Sequence, residues 1–287
     1  MAKAKILIQF DPDEHASVFD AVVAIDAGVE RLLQYDRVRA EKVRELVHGA
    51  IFTRGPQDLP NTAIFIGGAD AAKGEELLKQ VKAAFFGPMR VSVLLDTNGA
   101  NTTAAAAVLA AGKHVELGGA TALVLGGTGP VGQRAARLLA GDGASVRVAS
   151  RTLRKAEETC RAIQERIPNA KLEPRQCSSE GETAEALEGA SIVIAAGAAG
   201  VELLSAKMLQ SAAAVRVAID LNAVPPVGIA GIGSGDKGEV REHVACYGAL
   251  GVGGTKMKIH RAALQKLFTA NNLVLDAEEI FQIGKEL

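Results

Sequence analysis

Three glycines, Gly127, Gly129 and Gly132, stand as G-x-G-x-x-G in the run Ala122-Leu-Val-Leu-Gly-Gly-Thr-Gly-Pro-Val-Gly132. Where a buried strand passes into a helix, each has a separate use. The first makes the tight turn, the second removes the side chain that would block a pyrophosphate, and the third lets the helix pack close to the sheet. With Thr128, Pro130 and Val131 between them, they bring the N–H groups of the first helical turn to face a phosphate, aided by the helix dipole. A plain glycine turn in a ligand-free α/β domain would have the same six residues, so the surroundings decide.

A second strand pattern, Ser145-Val-Arg-Val-Ala149, ends where a dinucleotide fold reads the ribose. An Asp or Glu there would accept from a free 2′-hydroxyl and repel a 2′-phosphate. The chain has Ser150-Arg151-Thr152-x-Arg154-Lys155 instead, a hydroxyl pair and three cations suited to gripping a phosphate. The expected cofactor is therefore NADP rather than NAD. Two further strand ends carry small or turn-forming residues that allow close approach to the cofactor: Ala196-Gly197 after Ser191–Ala195, and Asn222 to Pro225 after Arg216–Asp220. A plain strand-to-helix turn is the alternative for the first.

These loops need strands and helices in alternation, and the chain supplies them. Strand patterns at Lys5–Phe10, Ala50–Thr53, Thr62–Ile66 and Val91–Leu95 alternate with helical patterns at Val18–Ile25, capped by Ser17, at Ala40–His48 and at Ala71–Phe85. Alternation of this kind predicts α/β architecture with mainly parallel sheet. The segment Asp96-Thr-Asn98-Gly-Ala-Asn101-Thr102-Thr103 gathers polar side chains at a strand's carboxyl end, either as ligand contacts or as a turn and helix cap. The stretch Ala104–Gly119 reads as a helix leading into the glycine-loop strand, and Lys155–Arg166 as a charged helix. Pro168–Thr183 reads as a polar stretch. Beyond it, Asp220 to Ile232 is too rich in Pro and Gly for regular structure, Tyr247 to Arg261 resembles a strand and glycine turn opening a helix, and Ile259–Phe268 and Ala277–Ile283 are helical.

Composition narrows the class. The 287 residues are 48% apolar, enough for two modest domains with real cores, and 32 Lys plus Arg nearly balance 33 Asp plus Glu. With no basic footprint, no Trp and 3% aromatics, nucleic acid is not an expected partner. Cys160, Cys177 and Cys246 form no C-x-x-C pair, and the five histidines show no ligand spacing, so neither a disulfide framework nor a metal site is expected. No apolar run reaches the ~18 to 20 residues of a membrane span, and no leader pattern precedes the first strand. The expectation is a soluble, cytoplasmic protein without a membrane partner.

Several stretches resemble the bacterial NADP-dependent methylene-tetrahydromethanopterin dehydrogenases. Among them are Phe19-Asp-x-Val-Val-x-x-Asp26-x-Gly28, Thr62-Ala-Ile-Phe-Ile-Gly-Gly68, Asp96-x-Asn98-Gly-x-Asn101-Thr-Thr-Ala, Asn222-Ala-x-Pro-Pro-x-Gly-Ile-x-Gly-Ile232 and Gly248-Ala-Leu-Gly-x-Gly-Gly-x-Lys256-x-Lys-x-His-Arg. They are spread over essentially the whole chain. The resemblance implies a pterin domain of residues 1–104 completed by helices in 259–287, a Rossmann-type NADP domain of residues 105–258, and a cleft between them. It further implies a homo-oligomer, a trimer being the expected form.

The implied reaction moves a hydride from the methylene bridge of the pterin to C4 of NADP and leaves a methenyl cation. No proton moves, which agrees with the absence of a Ser/His/Asp or paired-carboxylate pattern; the enzyme holds two rings in near-attack geometry and excludes water. A pterin edge offers N–H donors beside a carbonyl. A carboxylate with an amide or cation is its complement, which singles out Asp20, Asp96, Asn98, Asn101, Thr102 and Lys256, with Lys256, Asp20 and Asn98 nearest the chemistry. Arg54 and Lys258 are weaker candidates for a polyanionic tail. The shared imidazolidine ring keeps tetrahydrofolate open as a second carrier. Rivals are a shikimate-type NADP dehydrogenase, suggested by Ser150-Arg-Thr-x-x-Lys155, and a non-catalytic NADPH-binding regulator, which turnover of any substrate would exclude.

Overall fold

The computed structural model describes residues 3–287, which form two compact units, one of the chain up to Thr102 with Met257–Leu287, the other Thr103–Lys256. In chain order the first unit holds β1 (Ile6–Phe10), α1 (Val18–Asp26), β2 (Arg31–Tyr35), α2 (Val43–Phe52), β3 (Thr62–Ile66), α3 (Ala71–Ala84), β4 (Ser92–Leu95) and the start of α4 (Ala100–Gly112). The second holds β5 (Thr121–Leu125), α5 (Pro130–Gly141), β6 (Ser145–Ser150), α6 (Leu153–Arg166), β7 (Lys171–Gln176), α7 (Glu180–Leu187), β8 (Ile192–Ala195), α8 (Ala206–Ser211), β9 (Val217–Asp220), β10 (Lys237–Arg241) and β11 (Val244–Tyr247). Helix α9 (Ala249–Lys266) leads back to the first unit, which ends with β12 (Val274–Leu275) and α10 (Ala277–Lys285).

The first sheet is ordered β12-β4-β3-β1-β2 and is parallel throughout. Its middle strands Thr-Ala-Ile-Phe-Ile and Ser-Val-Leu-Leu are buried along their whole length, as parallel strands covered on both faces must be. Phe10, Ile64, Ile66, Val93 and Leu95 pack there against Val47 and Ile51 of α2 and Leu77 and Val81 of α3. The second sheet is ordered β10-β11-β9-β8-β5-β6-β7, parallel except for the β10–β11 hairpin. Its core joins Leu123, Val193 and Ala218 to Leu187, Leu204 and Leu209. Helix starts follow local chemistry: Ser17 accepts from the Asp20 N–H, Asp70 from Ala72 and Lys73, and Ser179 with Glu182 closes a capping box on α7.

Four local expectations are corrected. Ala50–Thr53 is not a strand but the last part of α2, because Val43, Val47 and Ile51 recur every four residues on one buried face and helical period wins over a short apolar run. Pro168–Thr183 contains β7 and the start of α7; β7 is a polar edge strand, where Pro174 is tolerated. The glycines from Gly251 to Gly254 lie inside α9 rather than in a turn before it. Here Gly248 and Gly251 leave room for the 233–236 loop, whose Ser234 carbonyl accepts from the Leu250 and Gly251 N–H groups; a Cβ on either glycine would collide with that loop. Finally, the helix read from Ala104 to Gly119 begins at Ala100 and stops at Gly112. The polar edge strands β2 and β10 carried no alternating pattern to announce them.

Candidate functional site

The second unit gathers a glycine turn and its neighbouring loops at the carboxyl ends of its strands. Leu125, Ala195 and Asp220 close β5, β8 and β9 in register, so three loops leave the sheet side by side. Gly126 turns with φ +69°, and a Cβ on it would lie 2.6 Å from the Cα and N of Gly197; only glycines let these two loops touch. The Gly127 N–H then bonds Ala149 O at 2.9 Å, and a Cβ on Gly132 would strike the Gly126 carbonyl, so Gly132 seats α5 against the turn. At Gly129, by contrast, the nearest atom to an added Cβ is 3.5 Å away. Its residue caps α5 without any side-chain hydrogen bond, and Pro130 takes the first helical position. The helix start therefore offers main-chain donors beside a glycine where an added Cβ would meet only ordinary contacts, with Thr128 and Val131 in the same turn and the Thr128 carbonyl held by Gln133 Nε2 at 2.8 Å.

Beside it, at the end of β6, Ser150 is buried and its Oγ accepts from the Thr152 N–H at 3.5 Å. Arg151, Arg154 and Lys155 are exposed around that turn. Arg154 reaches Glu158 at 3.7 Å, a solvated pair that holds the side chain only weakly. On the other flank, the loop after β9 is folded by its own polar groups. Asp220 accepts from Asn222 N at 3.0 Å and Ile229 N at 2.9 Å, while Asn222 donates to Pro226 O and accepts from Val224 N. The Asn222 side chain thus faces the loop interior, and the exposed crest is Ala223 to Pro226, including Pro225.

In the first unit the strand ends of β1, β3 and β4 gather a second group. Asp20 stands in the first turn of α1, and its Oδ2 lies 3.2 Å from where a Cβ on Gly67 would be; Asp11 Oδ2 is 3.6 Å from the same point. Buried Asp11 accepts from Asp13 N and Ser17 N, and Asp13 accepts from Ala69 N, so the β1–α1 loop is laced over Gly67 and Gly68. On the other side of Gly68, its carbonyl accepts from Asn98 N at 2.6 Å. Asn98 adopts φ 53°, a left-handed conformation Asn tolerates better than most residues, and its side chain is exposed. Asp20 and Asn98 therefore flank the Gly67–Gly68 turn. The His260 ring, buried on α9, lies 5.8 Å from the Phe65 ring and 6.5 Å from that of Phe19, which is 54% exposed.

Other residues singled out from the sequence are placed differently. Asp96, Asn101 and Thr102 are buried and satisfy one another's neighbourhood: Asp96 Oδ1 accepts from the Asn101 and Thr102 N–H groups, its Oδ2 accepts from Thr102 Oγ1 at 2.6 Å, and Asn101 Nδ2 donates to Leu95 O and Asp276 Oδ1. These polar groups fasten the start of α4 to the end of β4. Arg54 donates to the carbonyls of Asn61 and Ala4. Lys256 is partly exposed on α9, three residues after Gly253 and four before His260. Burial, with help from Glu157, pushes the Cys160 thiol up to about 11, and burial also raises Cys177 and Cys246, so none of the three is a ready nucleophile. The sequence reading gave Asp11, Gly67, Phe65 and His260 no site role, although Phe65, Gly67 and His260 stand in the stretches that carry the resemblance.

Comparison with known proteins divides along the same lines. Residues 18–98 match the family model described as methylene-tetrahydromethanopterin dehydrogenase, N-terminal, and residues 108–230 match that described as shikimate / quinate 5-dehydrogenase. In solved structures, the chain is similar to ligand-free 5-ketofructose reductase of a Gluconobacter species (TM-score 0.52, 14% identity, 99% of each chain) and to quinate dehydrogenase from Corynebacterium glutamicum in complex with NAD (TM-score 0.50, 13% identity, 99% of each chain). At that identity they speak for the fold alone: a Rossmann-type α/β architecture. Among curated proteins, it is 45% identical to the bifunctional protein MdtA of Methylorubrum extorquens over 287 residues, 99% of each. It is 33% identical over 306 residues to the NAD(P)-dependent methylenetetrahydromethanopterin dehydrogenase of the same organism, 98% of each. With identity at this level along nearly its whole length, the chain belongs to the methylene-tetrahydromethanopterin dehydrogenase family.

Proposed function

We propose that the chain is an oxidoreductase that oxidises methylene-tetrahydromethanopterin to its methenyl form with NADP. The observation that carries the reading is the division of labour between the units. The second has a glycine turn opening a helix and a basic turn beside it, and the first, the part matching the family's N-terminal model, has Asp20 and Asn98 flanking Gly67–Gly68.

The residues present fit NADP on two counts. A pyrophosphate suits the uncapped start of α5 over Gly129, and a 2′-phosphate suits Ser150, Arg151, Arg154 and Lys155, where no carboxylate stands at the strand end. When bound, the nicotinamide supplies the hydride acceptor. The chain's own residues bind, orient and shape charge. Gly127 to Gly132 hold the phosphates, Ala196 and Gly197 give the cofactor close backbone approach, and the Asn222–Pro225 loop bounds its nicotinamide end.

On the pterin side, Asp20 accepts from the amino and ring N–H edge, and Asn98 offers the amide beside it. Lys256 donates to the ring carbonyl. As the methylene carbon gives up its hydride, positive charge spreads over the two flanking nitrogens. A carboxylate already fixed nearby, Asp20, is worth more in the transition state than in the ground state. Asp96, Asn101 and Thr102 act from behind by fixing the segment that presents Asn98. No group has to donate or accept a proton.

No helix among the described residues is long and apolar enough to cross a membrane, and the reading adds a cytoplasmic location. It also adds a homo-oligomer, a trimer by expectation, supported by the exposed stripe Val18, Val22 and Ile25 on α1. A shikimate-type activity is the second reading, favoured by the match over residues 108–230, but that match stops at the cofactor half of the chain. The testing experiment is NADP reduction at 340 nm with methylene-tetrahydromethanopterin, methylene-tetrahydrofolate and shikimate in parallel. Turnover with the methanopterin substrate is expected, and turnover with shikimate alone would overturn the reading.

A further inference from the structure

Within the dinucleotide-binding reading, the loop after β9 is organised by a carboxylate buried beneath it. Asp220 is the last residue of its strand and 1% exposed, a buried carboxylate with no basic side chain among its hydrogen-bond partners. Its oxygens take the N–H of Asn222 at one end of the loop and those of Gly228 and Ile229 at the other. A Cβ on Gly228 would stand 2.7 Å from Asp220 Oδ1, so the far end of the loop can close on the carboxylate only as glycine. Asn222 then braces the interior through Val224 N and Pro226 O, and the Gly228 carbonyl is anchored by the N–H groups of Leu203 and Leu204. What remains outside is the crest Ala223 to Pro226, held at a set height above the strand ends.

Sheet order says what that crest faces. From the glycine loop at the end of β5, the 2′-phosphate turn lies one strand away in one direction, at β6. In the other direction come β8 and then β9, two strand spacings or about 10 Å from β5. A dinucleotide laid across these ends with its adenosine at β6 and its pyrophosphate at β5 has its nicotinamide toward β9. We infer that Asp220 is a positioning residue for hydride transfer: its buried carboxylate ties both ends of the 221–228 loop so that the crest fixes the nicotinamide ring. Burial raises the Asp220 acid above the ordinary carboxylate range even against three N–H donors, so the ionised side chain is a stability cost the fold keeps. A cost kept at a site edge is where positional demands are expected to override stability.

The test pairs Asp220→Asn, which puts an NH2 against main-chain N–H groups, with Gly228→Ala, which pushes the same carboxylate from the other side. Three readouts are taken on the full-length protein: the affinity for adenosine 2′,5′-bisphosphate, the fluorescence of bound NADPH, and kcat with its deuterium isotope effect. The expected result for both variants is unchanged bisphosphate affinity within twofold, loss of the NADPH fluorescence enhancement, and a kcat at least tenfold lower with a larger isotope effect. Wild-type fluorescence and kcat in both variants would overturn the inference. So would equal loss of bisphosphate binding or failure of both to fold, since the role would then be structural alone. Because NADPH fluorescence needs no pterin, failure of the substrate reading would show separately, as an inactive wild type.

Discussion

Asp20 Oδ2 lies 3.2 Å from where a Cβ on Gly67 would stand, and Phe65 Cε1 lies 3.1 Å from the same point. Both contacts are tighter than ordinary van der Waals packing, and the Phe65 ring is buried. Gly67→Ala should therefore displace the carboxylate while leaving its chemistry intact. The expected outcome is a KM for the pterin about tenfold higher, or roughly 1.4 kcal/mol, with unchanged NADPH affinity. Steady-state kinetics beside an NADPH titration checks it; an unchanged KM would remove Asp20 from the substrate contact.

Cofactor choice rests on the turn after β6. Arg151 is exposed beside the buried Ser150 hydroxyl, and a charge-assisted guanidinium–phosphate contact is worth about 2 kcal/mol, or roughly 30-fold in affinity. Arg151→Ala should weaken NADP by that factor and leave NAD unaffected. Calorimetric titration with both cofactors measures the difference, and equal losses for the two would place Arg151 outside the 2′-phosphate contact.

How much of this was legible in the sequence depends on whether a residue's task is local. The glycine turn that opens α5 could be read directly, since Gly127 and Gly132 meet steric needs set within a few residues of themselves. Asp96, Asn101 and Thr102 could not: a polar side chain at a strand end looks the same whether it caps a helix or meets a ligand, and only the fold shows Thr102 Oγ1 turned onto Asp96. The acidic lacing of Asp11 and Asp13 onto Ser17 and Ala69 depends on β3 lying beside β1, a pairing no local pattern encodes. Edge strands β2 and β7 escaped for a related reason, because half-exposed polar strands lack the alternation that marks a buried face.

The Asp96 cap makes a stability prediction. Asp96→Ala strips acceptors from two first-turn N–H groups of α4 and from the Thr102 hydroxyl, all buried, and should cost about 3 kcal/mol. Thr102→Val removes one donor and should cost about 1 to 2 kcal/mol. Urea unfolding of the purified variants reads both, and costs below half these values would mean water replaces the lost partners.

Asp220 predicts a pH dependence. Its folded-state acidity is weakened mainly by burial, so its pKa is raised above the unfolded value. A raised carboxylate favours the fold when protonated, and that contribution is lost as pH rises from the ordinary Asp range through the raised value. The difference in melting temperature between wild type and Asp220→Asn should therefore change across this window and become constant above it. Thermal melts of both proteins from pH 4 to 7 test the sign, and a difference independent of pH would contradict it.

The most direct test of the central claim follows the transferred atom. Methylene-tetrahydromethanopterin carrying two deuterons on the methylene carbon is incubated with the protein and NADP, and the nicotinamide product is examined by proton NMR and mass spectrometry. One deuteron at C4 of NADPH for each methenyl product formed is the predicted result. NADPH without deuterium, or methenyl product without NADPH, would contradict direct hydride transfer between these two substrates.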